Sequence, residues 1–576
     1  MPATVPAADP SETVSRATPA DGPEYDYVIV GAGSAGCVVA SRLSEDPNVS
    51  VLLLEAGGAD DQFFYKLALG FHSWRYPHTS WNYLSEPEPH LNGRRIVLPR
   101  GKVLGGSSTI NAMLYSRGHP RDYDLWRQMG CDGWSYADVL PYFKRSESNW
   151  RGEGDYHGGS GPLQVSRIET SRLLHEPVME SARALGYPTT DDHHGRTHEG
   201  FGPGDTTTTR RGRRSSASKA YLDPIRSTRR NLTIQTNSYA SRLLFDGKRA
   251  VGVRYQRDGK TETVRARREV VLSGGVYNTP QLLMLSGIGP ADHLRSVGIE
   301  PLVDLPGVGR NLSEHAGYWL EYETKGPVTL LSHIRADKLA LSTAQWLVFG
   351  KGLLASQSNS AHAEIRSAPG LEQPDLQIYF NPVRPDAKPW FPGIGKRQAH
   401  RVTAVICLLQ PDSRGWMELA SADPADKPRI TLNVMATKRD ADTLARGVRI
   451  VRQLYATPPL ADLISHETFP GPDVQSDAEI DAFLRNNLIT THHSVGTCTM
   501  GIGSHCVVDP QLRVRGIEGL RIVDASIMPT VPGGNTNAPS IMVGEKGADL
   551  IRGKSLPPAD EQAAAVTDPI YPFVTA

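Results

Sequence analysis

The chain has 576 residues, and its 62 Lys+Arg against 62 Asp+Glu give a formal charge of zero. Without a basic surplus it is not built around nucleic-acid or anionic-membrane binding. With 39% hydrophobic and 22% charged residues, it is also not a disordered chain.

Residues 1–24 are rich in Ala, Pro, Thr and Ser, with no basic start and no apolar core. They read as a flexible leader, not a secretory signal. Tyr27-Val28-Ile29-Val30 is a short apolar run that suits a buried strand. Gly31-Ala32-Gly33-Ser34-Ala35-Gly36 follows, then helix-compatible Cys37 to Leu43, then a second apolar run, Val51 to Leu54, closing on Glu55-Ala56-Gly57. Strand, turn, helix and strand predict a parallel sheet. Asp60 to about Arg100 reads as loop. Asp122 to Glu147 reads as helical pieces broken at Gly133 and Pro141. Gly152 to Gly204 shows little periodicity. Strands are predicted at Leu232–Gln235, Ala250–Val253 and Val270–Leu272, the last leading into an apolar helix at Thr279–Leu285. The centre, about Gly317 to Pro470, holds strands Leu376–Phe380 and Arg401–Ile406 and a helix over Lys438–Tyr455. Leu520 to Val523 is a late strand, and a helix runs from about Ser540 to Ile551. Residues 553–576 read as a frayed tail.

No apolar run reaches the ~18–20 residues that span a bilayer. The five cysteines, Cys37, Cys131, Cys407, Cys498 and Cys506, are too sparse for a disulfide scaffold. A soluble, cytoplasmic protein is expected.

The glycines at 31, 33 and 36 each have a physical reason. Gly31 permits a tight turn, Gly33 lets backbone approach a pyrophosphate, and Gly36 lets the helix pack on the sheet. Ser34 and Ala35 open the helix, whose free N–H groups favour phosphate. Glu55, about twenty residues beyond the turn, can accept ribose hydroxyl hydrogen bonds and disfavours a 2′-phosphate. The motif predicts a dinucleotide without separating FAD from NAD.

Three further blocks resolve that choice. They are Pro99 to Met113 (PRGKVLGGSSTINAM), Ser273 to Pro290 (SGGVYNTPQLLMLSGIGP), and His493-Ser494-Val495-Gly496-Thr497-Cys498 followed by Val508-Asp509-Pro510, Asp524-Ala525-Ser526 and Gly534 to Pro539. With the glycine motif, these resemble the glucose–methanol–choline (GMC) oxidoreductases, FAD enzymes, from Tyr25 to Ile551. The nearest-looking members are choline-dehydrogenase-like and alcohol-dehydrogenase-like. The resemblance implies a Rossmann-like FAD-binding domain with a parallel sheet, from residues 25–160, 226–316 and 505–552. It also implies a substrate-binding domain on an antiparallel sheet, from 161–225 and 317–504.

By the same resemblance Val103, Gly105, Gly106, Ser107, Asn111, Ala112 and Met113 lie along the flavin. Ala56 joins Glu55 at the ribose, and Ala240 meets the adenine end. Asp524, Ala525 and Thr536 lie near the ribityl and phosphate region. Trp81 also fits core packing. Where some members attach FAD through a histidine, this chain has Leu98, which implies non-covalent FAD. The helix near Ser540 is placed with its positive end toward the flavin.

Oxidising an alcohol requires removal of the hydroxyl proton and transfer of a hydride from the same carbon to flavin N5. Histidine suits the first task, and a neutral hydrogen-bonding group helps hold the developing alkoxide. His493 matches the family's catalytic histidine and Asn535 its second group, with Asn537 ranked behind. A small-molecule alcohol is then the substrate, and O₂ or an external acceptor takes the electrons. Monomer and homodimer both stay open. His492, His493, Cys498, His505 and Cys506 cluster in sequence but fit no common zinc spacing, so no metal is assigned. Two alternatives remain: an FAD-containing hydroxynitrile-lyase-like enzyme on the same fold, and a colourless NAD-binding or non-catalytic module.

Overall fold

The computed structural model describes residues 22–68, 78–169, 174–355, 357, 359–384, 386–394, 398–560 and 564–569. The expected leader therefore lies, up to residue 21, outside the described residues, as does the tail beyond residue 569.

Two large sheets organise the chain. The first runs Leu232–Gln235, Val51–Leu54, Glu24–Val30, Lys260–Leu272, Arg249–Arg257, Ser238–Asp246, with Leu520–Ile522 also paired to Lys260–Leu272. Its Val51–Leu54, Glu24–Val30, Leu232–Gln235 and Leu520–Ile522 pairings are parallel. The strand–turn–helix–strand unit at the N-terminus is thus present. Val28, Ile29, Leu52, Leu53, Val270 and Val271 are fully buried. Strands covered on both faces read as unbroken apolar runs, and each such side chain contributes roughly 1.5–3 kcal/mol.

Helix Ser34–Leu43 lies against the C-terminal helix Asn537–Ile551. Their approach needs Gly544, where a Cβ would come within 2.9 Å of the Ala35 carbonyl oxygen. Across this contact the buried Glu545 carboxylate takes Arg42 Nε and Nη2 at 2.9 and 2.8 Å and the Tyr221 hydroxyl at 2.8 Å. Arg145 Nε lies 2.8 Å from its other face.

The second sheet is antiparallel throughout: Ile464–Phe469, Ala316–Thr324, Arg401–Leu408, Leu376–Asn381, Ala361–Ile365, Gly200–Gly202, with Ile489–Thr490 also on Ala316–Thr324. Helix Lys438–Tyr455 covers it. Leu444, Val448, Val451 and Tyr455 recur on one buried face, the spacing of an amphipathic helix. A Cβ on Gly447 would stand 2.7 Å from the Tyr318 hydroxyl oxygen, so glycine lets the helix settle close to the sheet.

Four predicted features need correction. The described part of the tail is not frayed: the Leu556, Ala559 and Thr567 N–H groups reach the Tyr142 hydroxyl and the Ala137 and Arg196 carbonyls, each at 2.9 Å. Helix Tyr136–Ser146 runs through Pro141 unbroken. A proline orphans the carbonyl four residues earlier, here Ala137, and the Ala559 N–H occupies that carbonyl at 2.9 Å. The Ser135/Asp138 capping box and buried Val139, Leu140, Tyr142 and Phe143 hold the rest. The predicted Thr279–Leu285 helix starts earlier and spans Gly275–Leu285 with Pro280 inside; its orphaned carbonyl, Val276, accepts from the Thr497 hydroxyl at 2.6 Å. The stretch from 152 to 204 is also more ordered than its periodicity implied. It contains strand Leu163–Arg167, helix His175–Ala184 and edge strand Gly200–Gly202.

Candidate active site

A cavity of about 700 Å³ runs from the N-terminal glycine turn to the second sheet. At the turn, Gly31 has φ +97°, and a Cβ there would lie 2.4 Å from the Ser273 carbonyl oxygen. A Cβ on Gly36 would collide with the Gly31 carbonyl oxygen at 1.9 Å. Gly33 differs: its absent Cβ would meet nothing closer than 3.9 Å, so it faces open space. Ser34 and Ala35 line the cavity beside it, and no side chain caps the first turn of helix Ser34–Leu43. Its N–H groups are presented to whatever fills the space.

Glu55 and Ala56 line the same end. Glu55 does more than the sequence implied. Its two carboxylate oxygens accept from the Ala32 and Gly57 N–H groups at 2.9 and 2.8 Å, tying the turn together. Burial pushes its carboxyl up to about 7, with the two N–H bonds pulling the other way. Trp81 and Ala240 also reach the wall, and the Trp81 ring lies 5.8 Å from that of Tyr239.

Gly106, Ser107, Asn111, Ala112 and Met113 form the next stretch of wall. The loop packs directly on the glycine turn: a Cβ on Gly106 would lie 2.7 Å from Gly33 Cα, and the Gly105 N–H reaches the Ala32 carbonyl at 2.8 Å. Asn111 Oδ1 accepts from the Met113 N–H at 3.0 Å and from Arg214 Nη1 at 2.8 Å. The Arg214 guanidinium is buried, with no bonded partner for Nε or Nη2, and burial lowers its pKa to about 9. Three expected cofactor residues, Gly36, Val103 and Gly105, do not reach the wall. They sit one layer behind, where close packing of loop, turn and helix needs small or apolar groups.

Asp524, Ala525 and Thr536 line the cavity between these regions. Asp524 accepts from the Gly275 N–H at 2.8 Å and the Thr279 hydroxyl at 2.6 Å, pinning the start of helix Gly275–Leu285. Helix Asn537–Ile551 begins three residues before the predicted start, and Thr536, Asn537 and Ser540 face the cavity. Asn537 Oδ1 is taken by the Ser34 hydroxyl at 2.8 Å, away from His493.

At the far end stand His493 and Asn535, 42 residues apart in sequence, with His493 Nε2 3.0 Å from Asn535 Nδ2. The hydrogen-bond network assigns the histidine's proton. His315 Nε2 lies 3.1 Å from the Leu409 carbonyl oxygen, so that nitrogen carries hydrogen and His315 Nδ1 is an acceptor. His493 Nδ1 sits 3.1 Å from this acceptor. It also lies 3.0 Å from the Thr491 hydroxyl oxygen, whose own proton goes to the His315 carbonyl at 3.3 Å. His493 Nδ1 therefore carries the proton, and Nε2 keeps its lone pair toward Asn535 and the cavity. Burial first, then the His315 and His492 rings and the Arg100 cation, hold the His493 imidazole well below the usual histidine range. The ring is held in its neutral form.

Asn535 is oriented in turn. Gly534 places it, since a Cβ at Gly534 would strike Ser116 Oγ at 2.1 Å. Its Oδ1 lies 3.0 Å from the Tyr379 hydroxyl, which also contacts Gln377 Oε1. Gln377 Nε2 donates to the buried Glu364 at 2.9 Å. Behind His493, Glu314 accepts its backbone N–H at 2.6 Å and the Ser494 hydroxyl, with Arg100 Nη2 3.6 Å away. Sequence reading missed Glu314, His315 and Thr491; it placed Tyr379 in the region over the flavin and Arg100 in a family motif without a role for either. The adjacent Glu314-His315 pair was the one visible signal, and nothing in its spacing ties it to a histidine 178 residues on. His492 opens onto the cavity beside its neighbour.

The GMC oxidoreductase family models match residues 25–317 and 411–544. The chain is a GMC oxidoreductase. It is 44% identical over 547 residues to an oxygen-dependent choline dehydrogenase of Chromohalobacter salexigens, covering 93% of this chain and 96% of the relative. An oxygen-dependent choline dehydrogenase of Stenotrophomonas maltophilia is 45% identical over 542 residues, covering 92% and 95%. Among solved structures, pyridoxine 4-oxidase from Mesorbium loti superposes with TM-score 0.82 at 30% identity, covering 92% of this chain and all of that one. A formate oxidase superposes at 0.85 and 28%, covering 92% and 99%. This GMC oxidoreductase is a flavoenzyme that uses FAD to oxidise an alcohol CH–OH group to a carbonyl. These comparisons do not favour the lyase alternative. Its site fits the cofactor. The Gly33 position is open where a Cβ would fill the cradle, the first turn of helix Ser34–Leu43 is uncapped, and the cavity continues without a break to His493. Among the described residues no cluster of three His, Cys, Asp or Glu could hold a metal, and no helix is long and apolar enough to cross a membrane.

Proposed function

We propose that His493 takes the substrate's hydroxyl proton through Nε2 and that Asn535 holds the same oxygen through Nδ2. The carrying observation is the locked tautomer: with Nδ1–H spent on His315 and Thr491, only Nε2 is left to receive a proton. The lowered pKa keeps the ring unprotonated and ready at neutral pH. Asn535 Nδ2, aimed at the same point, stabilises negative charge developing on the oxygen. Tyr379 orients Asn535, and Glu314 anchors the backbone at His493.

FAD, when bound, supplies the hydride acceptor. Gly31, Gly33, Ser34 and Ala35 would hold its pyrophosphate, Glu55 and Ala56 a ribose, and Trp81 and Ala240 the adenine end. Gly106, Ser107, Asn111, Ala112 and Met113 would hold the ring, and Asp524, Ala525 and Thr536 the linking chain. Binding is non-covalent: Leu98 is fully buried, off the cavity wall, and has no nucleophilic atom. The two sheets support a cofactor lobe of residues 25–160, 226–316 and 505–552 and a substrate lobe of 161–225 and 317–504. Five cysteines, all buried and unpaired, support a reducing, cytoplasmic setting.

The test is anaerobic reduction of the bound flavin by an alcohol in His493→Ala. The rate should drop ~10²–10⁴-fold, the usual contribution of a general base, with flavin content unchanged. Near-normal reduction would remove His493 from the reaction. Acid precipitation should release the flavin into the supernatant; a flavin that stays with the protein would refute non-covalent binding. The relatives' names make choline, a quaternary-ammonium alcohol, the first substrate to try.

A further inference from the structure

The wall around His493 and Asn535 bears directly on substrate charge. A quaternary ammonium has no N–H to donate. A buried site must stabilise it with a carboxylate or with several aromatic faces. The described residues lining the cavity include two carboxylates, Glu55 and Asp524. Both are consumed elsewhere: Glu55 by the Ala32 and Gly57 N–H groups, Asp524 by Gly275, Thr279 and Ser526.

The carboxylates carried by the surrounding elements turn away from the cavity and are engaged. Glu314 is taken by the His493 N–H and Ser494, Glu321 by Arg401 at 2.8 Å and Arg384 at 3.1 Å, and Glu364 by Gln377.

The cations are equally committed. Arg100 Nη2 donates to Ser494 Oγ at 2.6 Å and faces Glu314. Arg384 makes a two-point pair with Asp386, both bonds 2.8 Å. Neither guanidinium is left to hold an anionic substrate, and among the described residues a buried cation would find no free counter-ion here. The other described residues at this end are Leu330, Ile334, Val383 and Val405, Asn359 and Asn381 joined by a 3.1 Å hydrogen bond, and the rings of His492 and Tyr277, the latter already faced by the Arg100 guanidinium at 5.1 Å. Tyr379 is cross-strand to Val405 and spends its hydroxyl on Asn535 and Gln377.

From this we infer that the substrate is an uncharged alcohol with an aliphatic body, and that choline is a poor one despite the relatives' names. The inference rests on the reading that His493 and Asn535 mark the reacting end.

The experiment compares choline with 3,3-dimethylbutan-1-ol, which replaces the ammonium nitrogen by carbon at the same shape. Both are mixed anaerobically with the FAD-loaded enzyme, and flavin absorbance is followed. The neutral isostere should show a kred/Kd at least ~10-fold above that of choline, the factor set by roughly one such unfavourable charge contact. Choline equal to or better than its isostere would overturn the substrate class. In Asn381→Asp, where the new carboxylate still accepts from Asn359, the choline-to-isostere ratio should rise about tenfold or more. An unchanged ratio would overturn the placement of the substrate's body at this wall. Reduction by hexan-1-ol with no reduction by choline supports the inference. No reduction by any alcohol sinks the reading of the reacting end, which is a separate failure.

Discussion

The tautomer lock on His493 predicts a specific non-additivity. His493 Nδ1–H has two acceptors, His315 Nδ1 at 3.1 Å and Thr491 Oγ1 at 3.0 Å. Replacing His315 by Phe keeps the ring volume and removes one acceptor; replacing Thr491 by Val removes the other. In either single variant the proton keeps a partner, so the loss is that of one buried neutral hydrogen bond, about 1 kcal/mol, or roughly fivefold in rate. In the double variant the N–H is orphaned in a buried site, at a further cost of about 1–3 kcal/mol, and the proton moves to Nε2, where it disables the base. The double variant should therefore lose about 5- to 100-fold more than the product of the single losses. The assay is anaerobic stopped-flow reduction of the flavin at saturating alcohol, with flavin content and thermal midpoint as controls on folding. Multiplicative losses across the cycle, or an unaffected double variant, would refute the proton assignment. A cycle run in Asn535→Ala keeps its coupling, because the lock acts on the opposite ring nitrogen.

Other outcomes follow from the same structure. Asn535→Asp places a carboxylate where Nδ2 now lies 3.0 Å from His493 Nε2. The anion favours the imidazolium and raises the His493 pKa, so the acid limb of the flavin-reduction pH profile should move to higher pH. An unmoved limb contradicts that contact. Gly33→Ala puts a Cβ into open space, with no protein atom nearer than 3.9 Å. The variant should fold with an unchanged thermal midpoint in the flavin-free state yet purify depleted of flavin; full flavin content would show that nothing occupies that space. Burial holds His193 and His315 at about 4 and His362 at about 3, against 6.5 when exposed. Between those values the unfolded chain binds protons that the folded protein does not. Stability is therefore lost as pH falls below 6.5, on the order of 3 kcal/mol per ring by pH 3; a thermal midpoint flat from pH 7 to 4 would contradict it. Glu545→Gln leaves Arg42 and Arg145 facing a neutral amide and should cost about 3 kcal/mol, read as an earlier denaturant midpoint.

Much of the cofactor half was legible along the chain. Three of its strands carry continuous apolar runs, Tyr27–Val30, Val51–Leu54 and Val270–Leu272, because a strand covered on both faces has no choice of residue. The three glycines were legible as a motif: Gly31 takes a positive φ, Gly36 packs on the Gly31 carbonyl, and Gly33 leaves the space beside the turn open. Proline misled the reading at Pro141, and the helix containing Pro280 was read too short. At Pro141 and Pro280 the orphaned carbonyl is satisfied by Ala559 and Thr497, each more than 200 residues away in the chain. No local rule detects such a partner. The helix His175–Ala184 was missed because its apolar positions make sense only against the sheet it covers.

By itself the sequence determined the dinucleotide turn and the family, and it singled out His493 with Asn535 or Asn537 as the candidate reacting groups. These are carried by short contiguous motifs whose geometry is local. Only the tertiary structure decided which nitrogen of His493 holds its proton, that Asn535 and not Asn537 stands beside it, what orients Asn535, and that among the described residues no free charge of either sign faces the reacting end. Beyond the neighbouring Thr491, those properties belong to His315, Leu409, Tyr379 and Arg384, distant in sequence from His493 and brought to it by the fold. Protonation, orientation and electrostatic field are sums over neighbours, and folding chooses the neighbours.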